Sequence, residues 1–199
     1  LKGKVIPLSE DDVTLMGEMD DGKIVSGEHN ITECDSKIKR VFYKEKPLVN
    51  EDVLLAIREA DAIILSMGSI FTSIIPNLLC DEVIREIDNS SAKLIYMCNL
   101  MTQPGVTDDF KVSDHINLIN SYLGKRKIDA VFLNNGEIDS DILKKYETAE
   151  QKDLVLADMA KIESLGTEAI CNDYISIDDG YIRHNTLRLA IDVISYLLD

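Results

Sequence analysis

A chain of 199 residues is long enough to bury one substantial core without disulfide staples, and its 45% apolar and 29% charged shares are those of an ordinary globular protein. A formal charge of -15 argues against a nucleic-acid surface, which needs clustered Lys and Arg to displace counterions from phosphates. No run approaches the roughly 20 apolar residues of a membrane-spanning helix.

The chain starts at Leu1 without an initiator Met, and Lys2 to Leu8 lead directly into what reads as a first strand, so a further segment is expected upstream. Asp11 and Asp12, just past that strand, suit a polar anchor or general base, although paired acids beside a helix or turn start are more often caps. Asp20-Asp21-Gly22 between two short extended stretches predicts a hairpin, and Lys37 to Tyr43 a further strand, together an antiparallel insertion near the N-terminus. Lys37, Lys39, Arg40, Lys44 and Lys46 form the main basic island, either a solvated strand face or a contribution to phosphate binding.

From Asn50 onward the rhythm changes to alternating helix and strand. Asn50 can cap a helix over Glu51 to Glu59, with Val53, Leu54, Ile57 and Ala60 on one face, and Ala62 to Leu65 follows as a strand. An amphipathic stretch from Asp81 to Ile87 precedes a strand over Lys93 to Cys98. Ser113 can cap a helix that presents Ile116, Ile119 and Leu123 and ends at Gly124, before the apolar run Ile128 to Leu133. A last round passes through Asp141 to Tyr146, Leu154 to Ala157 and Ala169 to Ile170. A final helix, Thr186 to Leu198, has Leu189, Ile191, Val193, Ile194 and Leu197 available for packing. Continuous apolar strands separated by helices predict an α/β, Rossmann-like domain over residues 1–199, mostly parallel, with helices on both faces.

In open α/β sheets, ligands sit beyond the carboxyl ends of the strands. Three polar loops fall there. Ser66-Met67-Gly68-Ser69, with Thr72 and Ser73 after it, suits either a phosphate cradle or an ordinary strand-to-helix turn. The long loop from Asn99 to Gly105 offers Asn99, Thr102 and Gln103 to a sugar or base edge, or is a surface connection. Asn134-Asn135-Gly136 is a third candidate contact, or a plain turn. On a parallel sheet the three converge on one rim.

G-x-G-x-x-G, G-x-x-x-x-G-K-[ST] and G-x-S-x-G are all absent, which removes support from common NTPase and hydrolase readings. Cys34, Cys80, Cys98 and Cys171 form no C-x-x-C pair and fit a reducing cytosol; His29, His115 and His184 show no metal-ligand spacing. No cofactor is implied.

Ser9 to Leu15, Lys37 to Val41, Gly68 to Leu79, Cys98 to Gly105, Asn134 to Gly136 and Arg183 to Asn185 together resemble the YvcK gluconeogenesis-factor family, over essentially all 199 residues. That family is related to CofD, the 2-phospho-L-lactate transferase of coenzyme F420 synthesis. The resemblance implies a cytoplasmic bacterial protein that binds UDP-sugars such as UDP-N-acetylglucosamine. It also implies a role in cell shape and in growth on gluconeogenic carbon sources, with protein partners and self-association possible. Relatives carry a Gly-rich G-G-G-T-G phosphate loop after their first strand, and none occurs here; where they have Gly-Pro-Gly-Ser, this chain has Ser66-Met67-Gly68-Ser69.

Three readings follow. In the first the loops hold a nucleotide sugar for regulation. The second is a CofD-like transfer of a phospholactyl-type group from a nucleotide diphosphate, metal-assisted, with Asp11 or Asp12 near the acceptor hydroxyl. The third is a partner-binding scaffold.

Overall fold

The computed structural model describes residues 3–150 and 152–198. No strand forms between Gly3 and Thr14, so the expected first strand is absent there; Ile6 and Leu8 instead border a shallow apolar hollow with Val53 and Ile57. The first strand is Leu15–Met19 (β1), which means that Asp11 and Asp12 precede it rather than follow it.

Strand β1 pairs antiparallel with Ile24–Ser26 (β2) and, across the five-residue helix Glu28–Thr32 (α1), with Ile38–Tyr43 (β3). Gly22 takes φ +83° in the β1–β2 turn, a left-handed conformation that an L side chain resists. The expected antiparallel insertion is therefore present as a sheet of its own, ordered β2-β1-β3. Its basic island is a solvated face. Lys39 and Arg40 both reach Glu18 at 2.6 Å and Lys46 reaches Glu82 at 2.8 Å, exposed pairs of little energetic weight.

Helix Glu51–Arg58 (α2) starts where Asn50 Oδ1 accepts the Asp52 amide hydrogen at 3.0 Å, the cap read from sequence. It leads into Ala62–Leu65 (β4). A π-helical turn, Ile70–Ile74, and a 3-10 turn, Ile75–Leu78, then stand where a helix was expected near Thr72 and Ser73. Helix Asp81–Asn89 (α3), strand Lys93–Met97 (β5), helix Val112–Tyr122 (α4) and strand Ala130–Asn134 (β6) follow. Next come the short helices Ser140–Lys145 (α5) and Met159–Ser164 (α6), then strand Glu168–Asn172 (β7). Leu154 makes only an isolated bridge to Met101, so the expected element over Leu154 to Ala157 is a tethered loop.

The parallel sheet runs β4-β5-β6-β7. Alternation along its strands divides the core. Ile63, Leu65, Leu94, Tyr96 and Val131 face α2, α3 and α4, whereas Ala62, Ile95, Met97 and Phe132 face the last helix, Thr186–Leu198 (α7). Helices thus cover both faces. Only Leu189 and Val193 of α7 are buried; Ile191, Ile194 and Leu197 are exposed, contrary to the expectation that all five pack. At about 100° per residue a straight helix on a sheet buries one stripe, and Leu189, Val193 and Tyr196 occupy it.

Ser113 does not cap α4. Asp114 in the first turn accepts the Lys111 amide hydrogen at 2.9 Å, and Ser113, fully buried, donates its amide and hydroxyl hydrogens to the Asp158 carboxylate at 3.0 and 2.6 Å. Beyond α4, Asp88 accepts the Lys125 and Arg126 amide hydrogens, and a methyl group on Gly124 would overlap its carboxylate. Gly124→Ala is expected to cost about 1 to 3 kcal/mol, readable as a lowered urea midpoint, because two amides lose their acceptor. An unchanged midpoint would mean that Asp88 swings aside freely.

Between β7 and α7 lies a second hairpin, Ile175–Asp178 (β8) and Tyr181–His184 (β9). Asp179 and Gly180 both have positive φ, 49° and 75°, the pattern of a tight two-residue turn. No helix among the described residues is long and apolar enough to cross a membrane.

Candidate functional site

The parallel order puts the carboxyl ends of β4, β5 and β6 on one edge, as the strand pattern requires. The loop after β5 is the most built of the three. Thr102 is buried, donates its amide hydrogen to the Asp153 carbonyl at 2.8 Å and accepts the Asp153 amide hydrogen on Oγ1 at 3.0 Å. Val155 donates to the Leu100 carbonyl at 3.0 Å. A chain segment some distance along is thereby clasped to the loop. Gln103 starts a turn in which its amide hydrogen goes to Thr107 Oγ1 at 2.8 Å, and Gly105 holds φ +73°.

Over this loop opens a cleft of about 1030 Å³. Asn99, Thr102 and Gln103 line one wall, Glu33 and Asp35 beyond α1 another, and Tyr146, Lys152 and Arg183 a third. On the far side of the Thr102–Asp153 clasp lies a second chamber of about 450 Å³, with Phe110 and Leu154 in its wall; Thr102 and Lys152 border both spaces.

Arg183 of this wall belongs to the β8–β9 hairpin. Buried Tyr146 accepts the Ile182 amide hydrogen on its hydroxyl at 2.9 Å, and His184 Nε2 lies 3.2 Å from the Cys98 carbonyl. These two bonds fix the hairpin against the β5 end. The Arg183 guanidinium and the Lys145 ammonium sit over the Tyr181 ring, 5.3 and 4.9 Å from its centre. Burial lowers the His184 pKa, only partly opposed by the Cys98 carbonyl, and pushes the Cys98 thiol up to about 12, so Cys98 is no nucleophile at neutral pH.

A family model described as 2-phospho-L-lactate transferase CofD matches residues 1–175. The chain belongs to the CofD family. It is 37% identical over 193 residues to the gluconeogenesis factor of Bacillus subtilis, covering 96% of this chain and 60% of that one. It is likewise 37% identical over 198 residues to the gluconeogenesis factor of Listeria innocua, covering 99% and 60%. A crystal structure of a UPF0052 family member from Bacillus halodurans superposes with TM-score 0.92 at 36% identity, covering 96% of this chain and 62% of that one. The chain therefore spans about three fifths of the length of these relatives. The resemblance to gluconeogenesis factors and the Rossmann-like α/β fold are both borne out.

In this CofD-family chain the expected contact residues separate into groups. Asn99, Thr102 and Gln103 meet in the cleft. Gly68 joins them at one remove, its carbonyl accepting from Asn99 Nδ2 at 2.9 Å, while Ser69, Thr72 and Ser73 stand behind it without lining the cleft. Ser69 Oγ is buried without a partner among the described residues. Asn134 turns inward, accepting the Gly136 and Tyr174 amide hydrogens on Oδ1 and donating Nδ2 to the Gly136 carbonyl; Asn135 is exposed beside it. Asp11 accepts the Leu48 amide hydrogen at 2.7 Å, and neither Asp11 nor Asp12 lines either space.

The composition of the third wall was not anticipated. Arg183 was visible only as part of a family-like motif, and Tyr146 and Lys152 carried no signal. The available clue was Asp178-Asp179-Gly180, the same Asp-Asp-Gly turn signal that announces the first hairpin.

Proposed function

We propose that this chain forms the nucleotide-sugar site of a cytoplasmic regulatory protein, taking a UDP-N-acetylglucosamine-like ligand in the larger cleft, with a role in cell shape and growth under gluconeogenic conditions. The observation that carries the reading is the pairing, across one cleft, of neutral donors and acceptors on Asn99, Thr102 and Gln103 with the cationic Arg183 and Lys152. Two phosphates need local positive charge in a chain of net charge -15, and the sugar and base need side chains of both hydrogen-bonding kinds. The volume, about 1030 Å³, lies just above the roughly 300 to 1,000 Å³ range of small-molecule sites, as suits a ligand with a base, two phosphates and a sugar. Arg183 then meets diphosphate oxygens, Asn99 and Gln103 the sugar or base edge, and the Gly68-Ser69 loop supports Asn99.

Micromolar affinity requires about 8 kcal/mol, of which a hydrogen bond to a charged group supplies roughly 1.5 to 3. Arg183→Ala and Asn99→Ala in the intact protein are each expected to weaken UDP-N-acetylglucosamine binding by about tenfold or more, the Arg183 effect shrinking as salt is raised. Calorimetric titration reads both. Affinity left unchanged by either substitution would remove the ligand from this cleft.

A second reading draws on the smaller chamber. Two spaces divided by one clasped wall, with Thr102 and Lys152 common to both, suit a donor and an acceptor of a transferred group, and the matching family model is that of a transferase. Release of nucleoside monophosphate from a nucleotide-linked donor, dependent on an added deazaflavin acceptor, would favour this reading over pure binding.

A further inference from the structure

The Gly68 carbonyl can only accept, and this one restriction orients a line of polar groups running from the rim into the core. Asn99 Nδ2 donates to it at 2.9 Å, so Asn99 Oδ1 is the atom turned toward the Tyr96 hydroxyl, 3.4 Å away. To serve that oxygen the hydroxyl must donate. Its own oxygen is then left to accept; the Asn99 amide and the Cys98 side chain lie near it, and its shortest contact is to His115 Nδ1 at 2.9 Å. The imidazole must therefore carry its hydrogen on Nδ1 and leave Nε2 as a bare lone pair. Nε2 is buried and has no partner among the described residues, which agrees: an unused acceptor inside a core is better tolerated than an unused N–H. The opposite tautomer strands a buried Nε2–H and sets two oxygens face to face with no hydrogen between them.

Tyr96 and His115 are both fully buried, on β5 and α4, and Phe110 meets the imidazole edge-on with ring centres 5.6 Å apart. Neither side chain touches the cleft. Asn99 does, with one Nδ2 hydrogen and one Oδ1 lone pair still unused.

We infer that His115 is a positioning residue: through Tyr96 it reinforces the flip state of the Asn99 carboxamide that the Gly68 carbonyl selects, and so helps to hold the edge that Asn99 presents to a ligand. The consequence for binding rests on the nucleotide-sugar reading, but the relay itself does not. The site prefers a ligand that presents an acceptor to Nδ2 and a donor to Oδ1 in that fixed arrangement, as an amide or a cis-diol does.

Nitrogen-15 NMR of the intact protein at neutral pH reads the tautomer directly, and hydrogen on Nδ1 with bare Nε2 is the expected result. UDP-N-acetylglucosamine titrations of Tyr96→Phe and His115→Leu should each show affinity about tenfold weaker, with the double variant no worse than either alone, because both cut one line. His115→Gln, whose carboxamide can again donate to Tyr96, should recover most of the loss at unchanged melting temperature. An Nε2–H tautomer, or additive losses without rescue by Gln, overturns the inference. If wild type fails to bind the nucleotide sugar, the functional reading falls alone; the relay is then judged by the tautomer and by whether Tyr96→Phe, which keeps the ring, shifts the Asn99 side-chain amide resonances.

Discussion

Phe132→Ala should lower the stability of the fold by about 3 to 5 kcal/mol, the upper part of the range for large-to-small changes in a core. Phe132 is 1% exposed on the inner strand β6, facing α7, with the Tyr174 ring centre 6.4 Å and the Tyr196 ring centre 5.9 Å away. Collapse into the vacated space is opposed by hydrogen bonds. Tyr174 Oη and Asn172 Nδ2 both donate to Asp192 Oδ2 at 2.8 Å, and Asn185 donates to the Tyr174 carbonyl at 2.7 Å, so the ring and the helix are held where they are. The same ties lead to His184 and Arg183, so the variant should also bind ligand less well at temperatures where it is still folded. Urea unfolding of Phe132→Ala beside Phe132→Leu separates cavity from chemistry. A loss under about 1 kcal/mol for Ala would mean that α7 settles into the gap after all.

Acid should destabilise the protein in two stages, the first belonging to His115. Burial holds its imidazole pKa at about 4, against an ordinary 6.5, with Asp114 opposing only weakly. Between those values the unfolded chain takes up a proton that the folded one refuses. Stability from this group is therefore complete above pH 6.5, declines as pH falls toward 4 and is flat below, a loss of roughly 3 kcal/mol. Asp88, held low by the Arg126 and Lys125 amides, and Glu18, held low by Lys39 and Arg40, act in the second stage: their contribution is present above the ordinary carboxylate range and is lost as pH falls below it. Urea midpoints from pH 7.5 to 4.5 for wild type and His115→Gln resolve the first stage. The variant should show a clearly shallower fall over that interval, the remainder belonging to His184, whose pKa burial also lowers, and a slope equal to wild type would assign the proton to another group.

How much of this is legible in the sequence depends on how local the determining contacts are. Helix α2 was marked by Asn50 and a four-residue apolar stripe, and β4, β5 and β6 by unbroken apolar runs, because their signals lie within the elements themselves. Ser113 reads as a cap from its neighbours, whereas its partner, Asp158, is far along the chain and no short-range rule reveals it. The residues before β1 failed for a related reason, since apolar side chains alone do not make a strand without a neighbouring edge to pair with.

The site divides in the same way. Asn99, Thr102 and Gln103 follow directly after an apolar strand, which is where the α/β architecture exposes its ligands, and all three reach the cleft. Asn134 met the same rule, but local turn geometry uses up its carboxamide. Arg183 needed the β8–β9 hairpin and its two bonds to Tyr146 and Cys98 before its position carried meaning.

The order β4-β5-β6-β7 means that every strand of the parallel sheet pairs with its neighbour in the chain. Each crossover closes a loop of only roughly 30 to 40 residues, and none must wait for a partner further off, which keeps the entropic cost of each closure small and similar. The sheet can thus grow one βα unit at a time as the polypeptide leaves the ribosome, with the edge at β6 exposed only until β7 is made. The clasp between Thr102 and Asp153 is different, since it joins the connections that follow two successive strands, β5 and β6, and so needs both in place. It should be among the late events of folding, which would place completion of the cleft after completion of the sheet.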